Sequence, residues 1–195
     1  MKLGLIPFCF FVLLVSCGDQ QSPSPAHTAG KIPHAAVTDS NTIVQVVKDF
    51  LQWYKVNYDT LNSNPLVTLV SKGNDTRYRV NFENAVTYLK LLQSSEKLEA
   101  EFINKMNSRL QSCDSAFMYK KQNDGPPEGF EADLLLLTQE PEIFLENIEN
   151  LTFNISTVNH NGRYNVQIPQ VGNTLMFELS AIGNNFKITA ITNTY

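Results

Sequence analysis

Apolar residues at helical spacing dominate the chain after residue 40. They recur at positions i, i+3, i+4 and i+7, the spacing of a helix with one buried face: Ile43, Val46, Val47, Phe50, Leu51, Tyr54, Tyr58 and Leu61. Asp39, Ser40 or Asn41 provides a cap, and the run Asn62-Ser63-Asn64-Pro65 ends the helix. The pattern therefore predicts a first helix over residues 43–61.

The next segments predict a mixture of short elements. Residues 66–80 fit either two short strands around Lys72-Gly73-Asn74-Asp75 or a loop. Asn81 is placed to cap a second helix, whose expected apolar face is Phe82, Ala85, Val86, Leu89 and Leu92. A third helix is expected from Ser94 or Ser95, with the following residues on its apolar stripe: Leu98, Phe102, Met106, Leu110 and Cys113. That stripe predicts that Cys113 is a buried small hydrophobe.

Helical spacing is lost after residue 113. Residues 114–133 contain Gly125-Pro126-Pro127 and predict a long loop. Residues 138–150 predict a short helix that has Pro141 in its first turn and turns Phe144 and Ile148 inward.

The last third of the chain alternates apolar and polar residues. The alternating apolar sets are Leu151, Phe153 and Ile155; Tyr164, Val166 and Ile168; Leu175, Phe177 and Leu179; and Phe186 and Ile188. Asn161-Gly162, Gly172-Asn173 and Gly183-Asn184 separate them, and such dipeptides are typical of hairpin turns. We therefore expect an α+β domain at 41–195, in which N-terminal helices pack on the apolar face of a C-terminal four-stranded antiparallel meander.

The first 16 residues predict a signal peptide. Met1-Lys2 precedes an apolar run from Leu3 to Val15, which is shorter than the roughly 20 residues that cross a bilayer. Leu14-Val15-Ser16-Cys17 resembles the lipobox of bacterial lipoproteins, in which the cysteine thiol receives a diacylglyceryl group and cleavage falls before the cysteine. Several acyl chains anchor a protein stably where one is marginal. In Gram-negative lipoproteins, an aspartate directly after the cysteine often retains the protein at the inner membrane. Gly18 follows the cysteine here, so we expect the protein to be anchored in the outer membrane of a Gram-negative cell envelope.

The segment 17–40 reads as a lipidated cysteine followed by a flexible linker. It is rich in Ser, Pro, Ala, Gly and Gln and has no apolar periodicity. Two of the three histidines, His27 and His34, lie in it and are interpreted as solvated.

Composition narrows the choice of partner. The chain has 43% hydrophobic and 17% charged residues, which suits a folded domain. The part from Cys17 onward carries 14 basic and 19 acidic residues, so nucleic acid is not an expected partner. No phosphate-binding loop, dinucleotide motif or metal-ligand pattern is present in the sequence, and no cofactor or metal is expected. The one histidine of the body, His160, has no evident nucleophile and is interpreted as an exposed turn residue.

One stretch has a strong charge bias. Lys and Arg are missing between Lys121 and Arg163, whereas eight acidic residues occur there: Asp124, Glu128, Glu131, Asp133, Glu140, Glu142, Glu146 and Glu149. The candidates are a partner-binding face, a weak calcium site or a solvated acidic surface. Asp59-Thr60-Leu61 and Asp114-Ser115-Ala116 also resemble the O-glycosylation sites of some periplasmic proteins.

Four segments of the body resemble one protein family. They are VVKDFLQWYKVNY (46–58), FENAVTYLKLLQSSEKLEAEFINKM (82–106), PPEGFEADLLLLTQEPE (126–142) and the closing strands. Over about residues 42–195 they look like domain of unknown function 3828, which occurs in bacterial periplasmic proteins and lipoproteins. The resemblance implies a nuclear transport factor 2-like (cystatin-like) cone with a conical cavity. It implies the following cavity-lining candidates: Phe50, Trp53, Tyr54, Phe177 and Phe186. It implies no reaction and no catalytic residue.

These features favour a non-enzymatic lipoprotein that is held to the membrane through Cys17 and binds a small apolar ligand or an envelope protein. One alternative is a cavity-based hydrolase or isomerase, with polar residues such as Asp133, Tyr119 or Tyr164 converging inside. Another is an immunity or inhibitor protein that docks a toxin through the acidic stretch.

Overall fold

The structure is a computed structural model, and it describes residues 40–159 and 162–194. The predicted signal peptide, Cys17 and the linker up to residue 39 lie outside the described residues, as does His160. Helix α1 spans Ser40–Asn62 and confirms the first predicted helix. Its buried residues lie on one stripe: Ile43, Val47, Phe50, Leu51, Tyr54 and Leu61.

Residues 66–80 form two strands rather than a loop. Strand β1 (Val67–Lys72) pairs antiparallel with β2 (Asp75–Val80), and Lys72 lies opposite Asp75 in the register. The two-residue connection therefore consists of Gly73 and Asn74, and Gly73 has a φ of 62°. A tight hairpin turn needs this left-handed conformation, which glycine adopts without steric cost.

Helix α2 spans Phe82–Ser94 and begins at the predicted cap. The side-chain Oδ1 of Asn81 accepts a hydrogen bond from the Asn84 backbone N–H at 3.1 Å. The predicted apolar face is wrong at two positions, because Phe82 is 41% exposed and Val86 is 50% exposed. Tyr88 is buried instead, on the face with Ala85, Leu89 and Leu92.

Helix α3 spans Ala100–Lys120, so the predicted start at Ser94 or Ser95 is wrong. The segment just before the helix pairs with the C-terminal sheet instead. Ile188 N–H donates to the Lys97 carbonyl, and Glu99 N–H donates to the Ile188 carbonyl, both at 2.9 Å. Leu98 lies between them and is buried, so it joins the core from an extended segment rather than from the helix.

The predicted loop at 114–133 is wrong over its first seven residues, because α3 continues to Lys120. Phe117 is 1% exposed and holds this last part of the helix against the core. Lys121 ends the helix in a left-handed conformation, with φ at 52°. Cys113 is half-buried, so the predicted full burial is only partly correct.

The segment after α3 contains turns and two short helical pieces. Helix α4 spans Pro141–Glu146, and a 3₁₀ turn follows at Ile148–Asn150. Both Phe144 and Ile148 are buried, as predicted, but the helix is shorter than the predicted 138–150 and Ile148 lies in the 3₁₀ turn that follows it.

The C-terminal part forms one antiparallel sheet of four strands: β3 (Asn154–Asn159), β4 (Arg163–Gln170), β5 (Asn173–Ile182) and β6 (Asn185–Thr194). The strand order β3-β4-β5-β6 is the predicted meander. We call its buried face the inner face; its fully buried residues are Val166, Ile168, Leu175, Phe177, Leu179 and Ile188. Phe50 of α1 meets Phe177 there in an edge-on contact of 6.3 Å between ring centroids.

The opposite face of the sheet, here called the outer face, carries the alternate residues of each strand. These include Asn165 on β4, and Met176, Glu178 and Ser180 on β5, all half-buried. The described domain is thus α+β, with helices followed by a four-stranded antiparallel sheet, as the sequence predicts. In the part of the chain that the structure describes, no helix is long and apolar enough to cross a membrane.

Candidate functional site

Four of the five predicted cavity residues form one packed cluster. Phe50 stacks on Trp53 and Tyr54 at centroid distances of 6.1 and 6.2 Å, and it meets Phe177 edge-on. Phe50, Tyr54 and Phe177 are at most 1% exposed, and Trp53 is partly buried against the core. Aromatic side chains contribute large buried areas to a core. In this structure the cluster joins α1 to the sheet, and a ligand-lining role for it stays a prediction.

The fifth cavity candidate lies elsewhere. Phe186 contacts Tyr164 edge-on at 5.5 Å and lines a groove together with Thr42, Glu96 and Lys187. Tyr119 is 87% exposed on α3. The polar residues proposed for an enzymatic cavity, Asp133, Tyr119 and Tyr164, therefore do not line one shared pocket in the described structure.

Asp133 is hydrogen-bonded on both carboxylate oxygens. Tyr54 Oη donates to Oδ2 at 2.6 Å, and the backbone N–H groups of Leu135 and Leu136 donate to Oδ1 at 2.9 and 2.7 Å. Burial, followed by the nearby Asp133 charge, raises the pKa of Tyr54 far above its ordinary value, so the phenol keeps its proton. The arrangement fixes the turn at 133–137 onto α1 and needs no catalytic role to explain it.

The acidic stretch is mostly exposed, and several of its side chains form separate contacts with neighbouring residues. Glu128 pairs with Lys120 at 2.5 Å. Glu131 accepts a hydrogen bond from the Gly129 N–H, and Glu149 accepts one from Gln52 of α1. Asp133 is half-buried, and the other members are exposed: Asp124, Glu128, Glu131, Glu140, Glu142, Glu146 and Glu149. A partner-binding role for this surface stays a prediction.

The described residues give no support to the calcium interpretation. Over residues 40–159 and 162–194, no cluster of three or more His, Cys, Asp or Glu side chains is placed to hold an ion.

Cys113 has a pKa raised by burial, which keeps its thiol protonated and poorly nucleophilic.

The two predicted glycosylation positions lie on helices. Thr60 is in the last turn of α1 and Ser115 is in α3, and both are exposed. Ser115 Oγ donates to the Gln111 carbonyl at 3.0 Å, whereas Asp114 is engaged by Arg79. Modification of either residue stays a prediction.

The strongest candidate site is a groove of about 440 Å³ between the start of α3 and the outer face of the sheet. We call it the polar groove. Five charged side chains line it: Glu99, Glu101, Lys105, Arg163 and Glu178. Pockets of this size are common small-molecule sites, and a few placed polar groups give them specificity.

The charges in the polar groove influence one another. Lys105 Nζ contacts Glu101 Oε1 at 2.8 Å, one helical turn away. This hydrogen bond is the main reason why the pKa of Lys105 is raised and that of Glu101 is lowered. Glu178 adds to the effect on Lys105, and Arg163 adds to the effect on Glu101. The charges on α3 and on the sheet therefore lie close enough to influence one another weakly.

One buried polar atom in the polar groove is unsatisfied. Among the described residues, Asn165 Oδ1 has no hydrogen-bond partner although it is shielded from solvent. Leaving such an acceptor unpaired costs about 1–3 kcal/mol. Asn165 lies directly opposite Glu178 in the β4–β5 register, so both side chains project from the outer face.

The sequence contains only part of the signal for this groove. Alternation along β4 and β5 places Arg163, Asn165 and Glu178 on the side opposite to the apolar residues. The alternation does not reveal that Glu101 and Lys105 lie beside these residues. Their position depends on the direction that α3 takes after residues 97–99 pair with β6.

A comparison of the chain with protein-family models, curated proteins and solved structures finds no match.

Proposed function

We propose that this protein is a lipoprotein of a Gram-negative cell envelope whose folded domain is a non-catalytic binding module. The observation that carries the proposal is the sequence Leu14-Val15-Ser16-Cys17 after a short apolar run. Diacylglyceryl transfer to the Cys17 thiol, with further acylation of the new amine, gives the multiple acyl chains that stable anchoring requires. Gly18 after the cysteine favours the outer membrane.

The distance between anchor and domain supports the same proposal. Cys17 and the first residue of α1, Ser40, are 23 positions apart. A chain of that length reaches at most about 80 Å when extended. The domain is then free to meet a partner in the envelope while its lipid stays in the membrane.

We also propose that the domain is nuclear transport factor 2-like and related to domain of unknown function 3828. The support is the segments quoted above, together with a long first helix packed on the inner face of a C-terminal antiparallel sheet. The aromatic cluster around Phe50 lies where α1 packs against that sheet, through the contact between Phe50 and Phe177.

A binding role is favoured over catalysis by the state of the polar residues. Asp133 is hydrogen-bonded to Tyr54 and to two backbone N–H groups, and these contacts give it a structural role in holding the turn at 133–137. Cys113 is half-buried with a raised pKa. The polar groove holds charges of both signs, which suits recognition of a charged ligand.

Acyl labelling in a Gram-negative host tests the anchor. Cys17→Ser is expected to abolish incorporation of labelled fatty acid and to remove the protein from the outer-membrane fraction. Cys9→Ser, in the same apolar run, is the matched control and is expected to keep both properties. Labelling that persists in Cys17→Ser, or disappears equally in Cys9→Ser, would overturn the proposed anchor.

A further inference from the structure

The polar groove carries charges of both signs on each of its two sides. Glu101 and Lys105 come from the first turns of α3, whereas Arg163 and Glu178 come from neighbouring strands of the sheet. Three carboxylates and two cations line a volume of about 440 Å³, so neither sign dominates. A ligand with one negative charge would be repelled by the carboxylates, and a ligand with one positive charge would be repelled by the two cations.

The strand register fixes the spacing of the sheet charges. Arg163 lies opposite Ser180, and Asn165 lies opposite Glu178. Arg163 and Glu178 are therefore diagonal neighbours on the outer face, with Cα atoms about 7–8 Å apart. The unsatisfied Asn165 Oδ1 lies in the same row as Glu178 and offers an acceptor for an N–H group.

We propose that the polar groove binds a small zwitterion, such as a free amino acid or a dipeptide. Its ammonium group lies against Glu178 and Asn165, and its carboxylate lies against Arg163 and Lys105. Charge-assisted hydrogen bonds of this kind are shorter and stronger than neutral ones. The inference rests on the proposed binding function and names the ligand class for it.

The choice of a zwitterion follows from the two signs of charge in the lining of the groove. Groups that lose water on binding must find partners of opposite sign. An anion would be attracted by Arg163 but repelled by the nearby carboxylate of Glu178. A cation would be attracted by Glu178 but repelled by Arg163. A molecule with both charges pairs each set, and the size of the groove limits that molecule to a few residues at most.

Thermal unfolding of the detergent-extracted full protein with three probes tests the site. The probes are glycylglycine, which has both charges, N-acetylglycine, which is only an anion, and glycinamide, which is only a cation. Glycylglycine at 100 times its Kd is expected to raise Tm by roughly 5–10 °C. The two singly charged probes are expected to bind at least tenfold more weakly by calorimetry.

Substitutions in the polar groove separate specific binding from a general salt effect. Glu178→Gln and Arg163→Gln are each expected to weaken glycylglycine binding at least tenfold. Glu83→Gln and Lys90→Gln change exposed charges on α2 and are expected to leave it unchanged. The unfolding midpoint without probe reports whether each variant is folded. Asn165→Leu removes the acceptor Oδ1 at nearly the same side-chain size and is also expected to weaken glycylglycine binding.

Three results would overturn the ligand class. They are no response to glycylglycine, an equal response to either singly charged probe, and unchanged binding in the variants of Glu178, Arg163 and Asn165. None of these measurements depends on the acyl chains. If glycylglycine does not bind but Cys17 is acylated, the zwitterion site is rejected and the proposed anchor stands. If glycylglycine binds but Cys17 is not acylated, only the anchor is rejected.

Discussion

The two sheets of this domain are attached to the helices by different interactions. The four-stranded sheet turns six side chains that are at most 1% exposed toward the helices, from Val166 on β4 to Ile188 on β6. In the β1–β2 hairpin, Val80 is the one buried residue, and Leu69 and Val70 are 52% and 45% exposed. The larger sheet is held by apolar burial, which the hairpin largely lacks.

The hairpin is held instead by directional polar contacts with α3 and the loop after it. Arg79 donates two hydrogen bonds to Asp114 at 2.8 and 2.9 Å, and the Val80 N–H donates to the same carboxylate. Tyr78 contacts the loop through its N–H, which donates to Gln122, and through its hydroxyl, which donates to Gly125. Because an isolated two-stranded hairpin is marginal in water, these contacts determine whether it stays closed.

The largest effect is expected from the apolar sheet. Phe177→Ala removes a side chain that is 0% exposed and contacts Phe50, so it should lower the free energy of unfolding by about 3–5 kcal/mol. Chemical denaturation measures this loss. Met176→Ala, the adjacent half-buried residue on the outer face, is the control and should cost about 1 kcal/mol. Equal losses would contradict the assignment of inner and outer faces.

An intermediate and local effect is expected at the hairpin. Asp114→Asn removes the carboxylate that binds Arg79 and the Val80 N–H, at a cost of about 1.5–3 kcal/mol. Hydrogen exchange should accelerate in β1 and β2 more than in β4 and β5, because the hairpin opens alone. Uniform acceleration throughout the domain would show that the hairpin is not a separate unit.

The same carboxylate gives that experiment a pH control. Its hydrogen bonds with Arg79 hold the pKa of Asp114 below its usual value. A lowered folded-state pKa means that the contact is fully stabilising above the unfolded pKa of about 3.9 and is lost as pH falls through the folded value. Hairpin exchange in the wild type should approach that of Asp114→Asn on acidification below about pH 4, and a gap that does not narrow would contradict the assignment.

The smallest effect is expected at Tyr78. Tyr78→Phe removes the hydroxyl that donates to the Gly125 carbonyl at 2.8 Å but keeps the ring, which lies 6.0 Å from that of Phe117. An exposed hydrogen bond of this kind should contribute about 0.5–1 kcal/mol to stability. Thermal denaturation measures the change, with Tyr119→Phe as a control at an 87% exposed position that should be neutral. A loss as large as that of Asp114→Asn would mean that the ring itself is displaced.

Sequence patterns correctly predicted those elements whose determining residues lie close together along the chain. The stripe of α1, the Asn81 cap and the strands between glycine turns all follow from residues within one or two turns of each other. The start of α3 does not, because Lys97 and Glu99 are paired with Ile188, about 90 positions later in the chain. Helical spacing from Leu98 onward continued through a segment that tertiary pairing holds extended.

The candidate site was less predictable for the same reason. The cavity candidates Phe50 and Phe177 follow from the family resemblance, and the structure buries both side chains in the core. The residues of the polar groove are ordinary surface types on separate elements. Glu178 and Lys105 become neighbours only because α3 starts where the sheet ends, and no short sequence pattern encodes that meeting.

The pairing of residues 97–99 with β6 also protects the protein from its own copies. The last strand of a sheet exposes backbone donors and acceptors that another molecule's strand can pair with, which leads to aggregation. Here Lys97 and Glu99 occupy those groups at Ile188, and α3 continues along the same border past Thr189 and Ile191. A strand from another copy of the protein therefore finds the backbone N–H and carbonyl of Ile188 already paired.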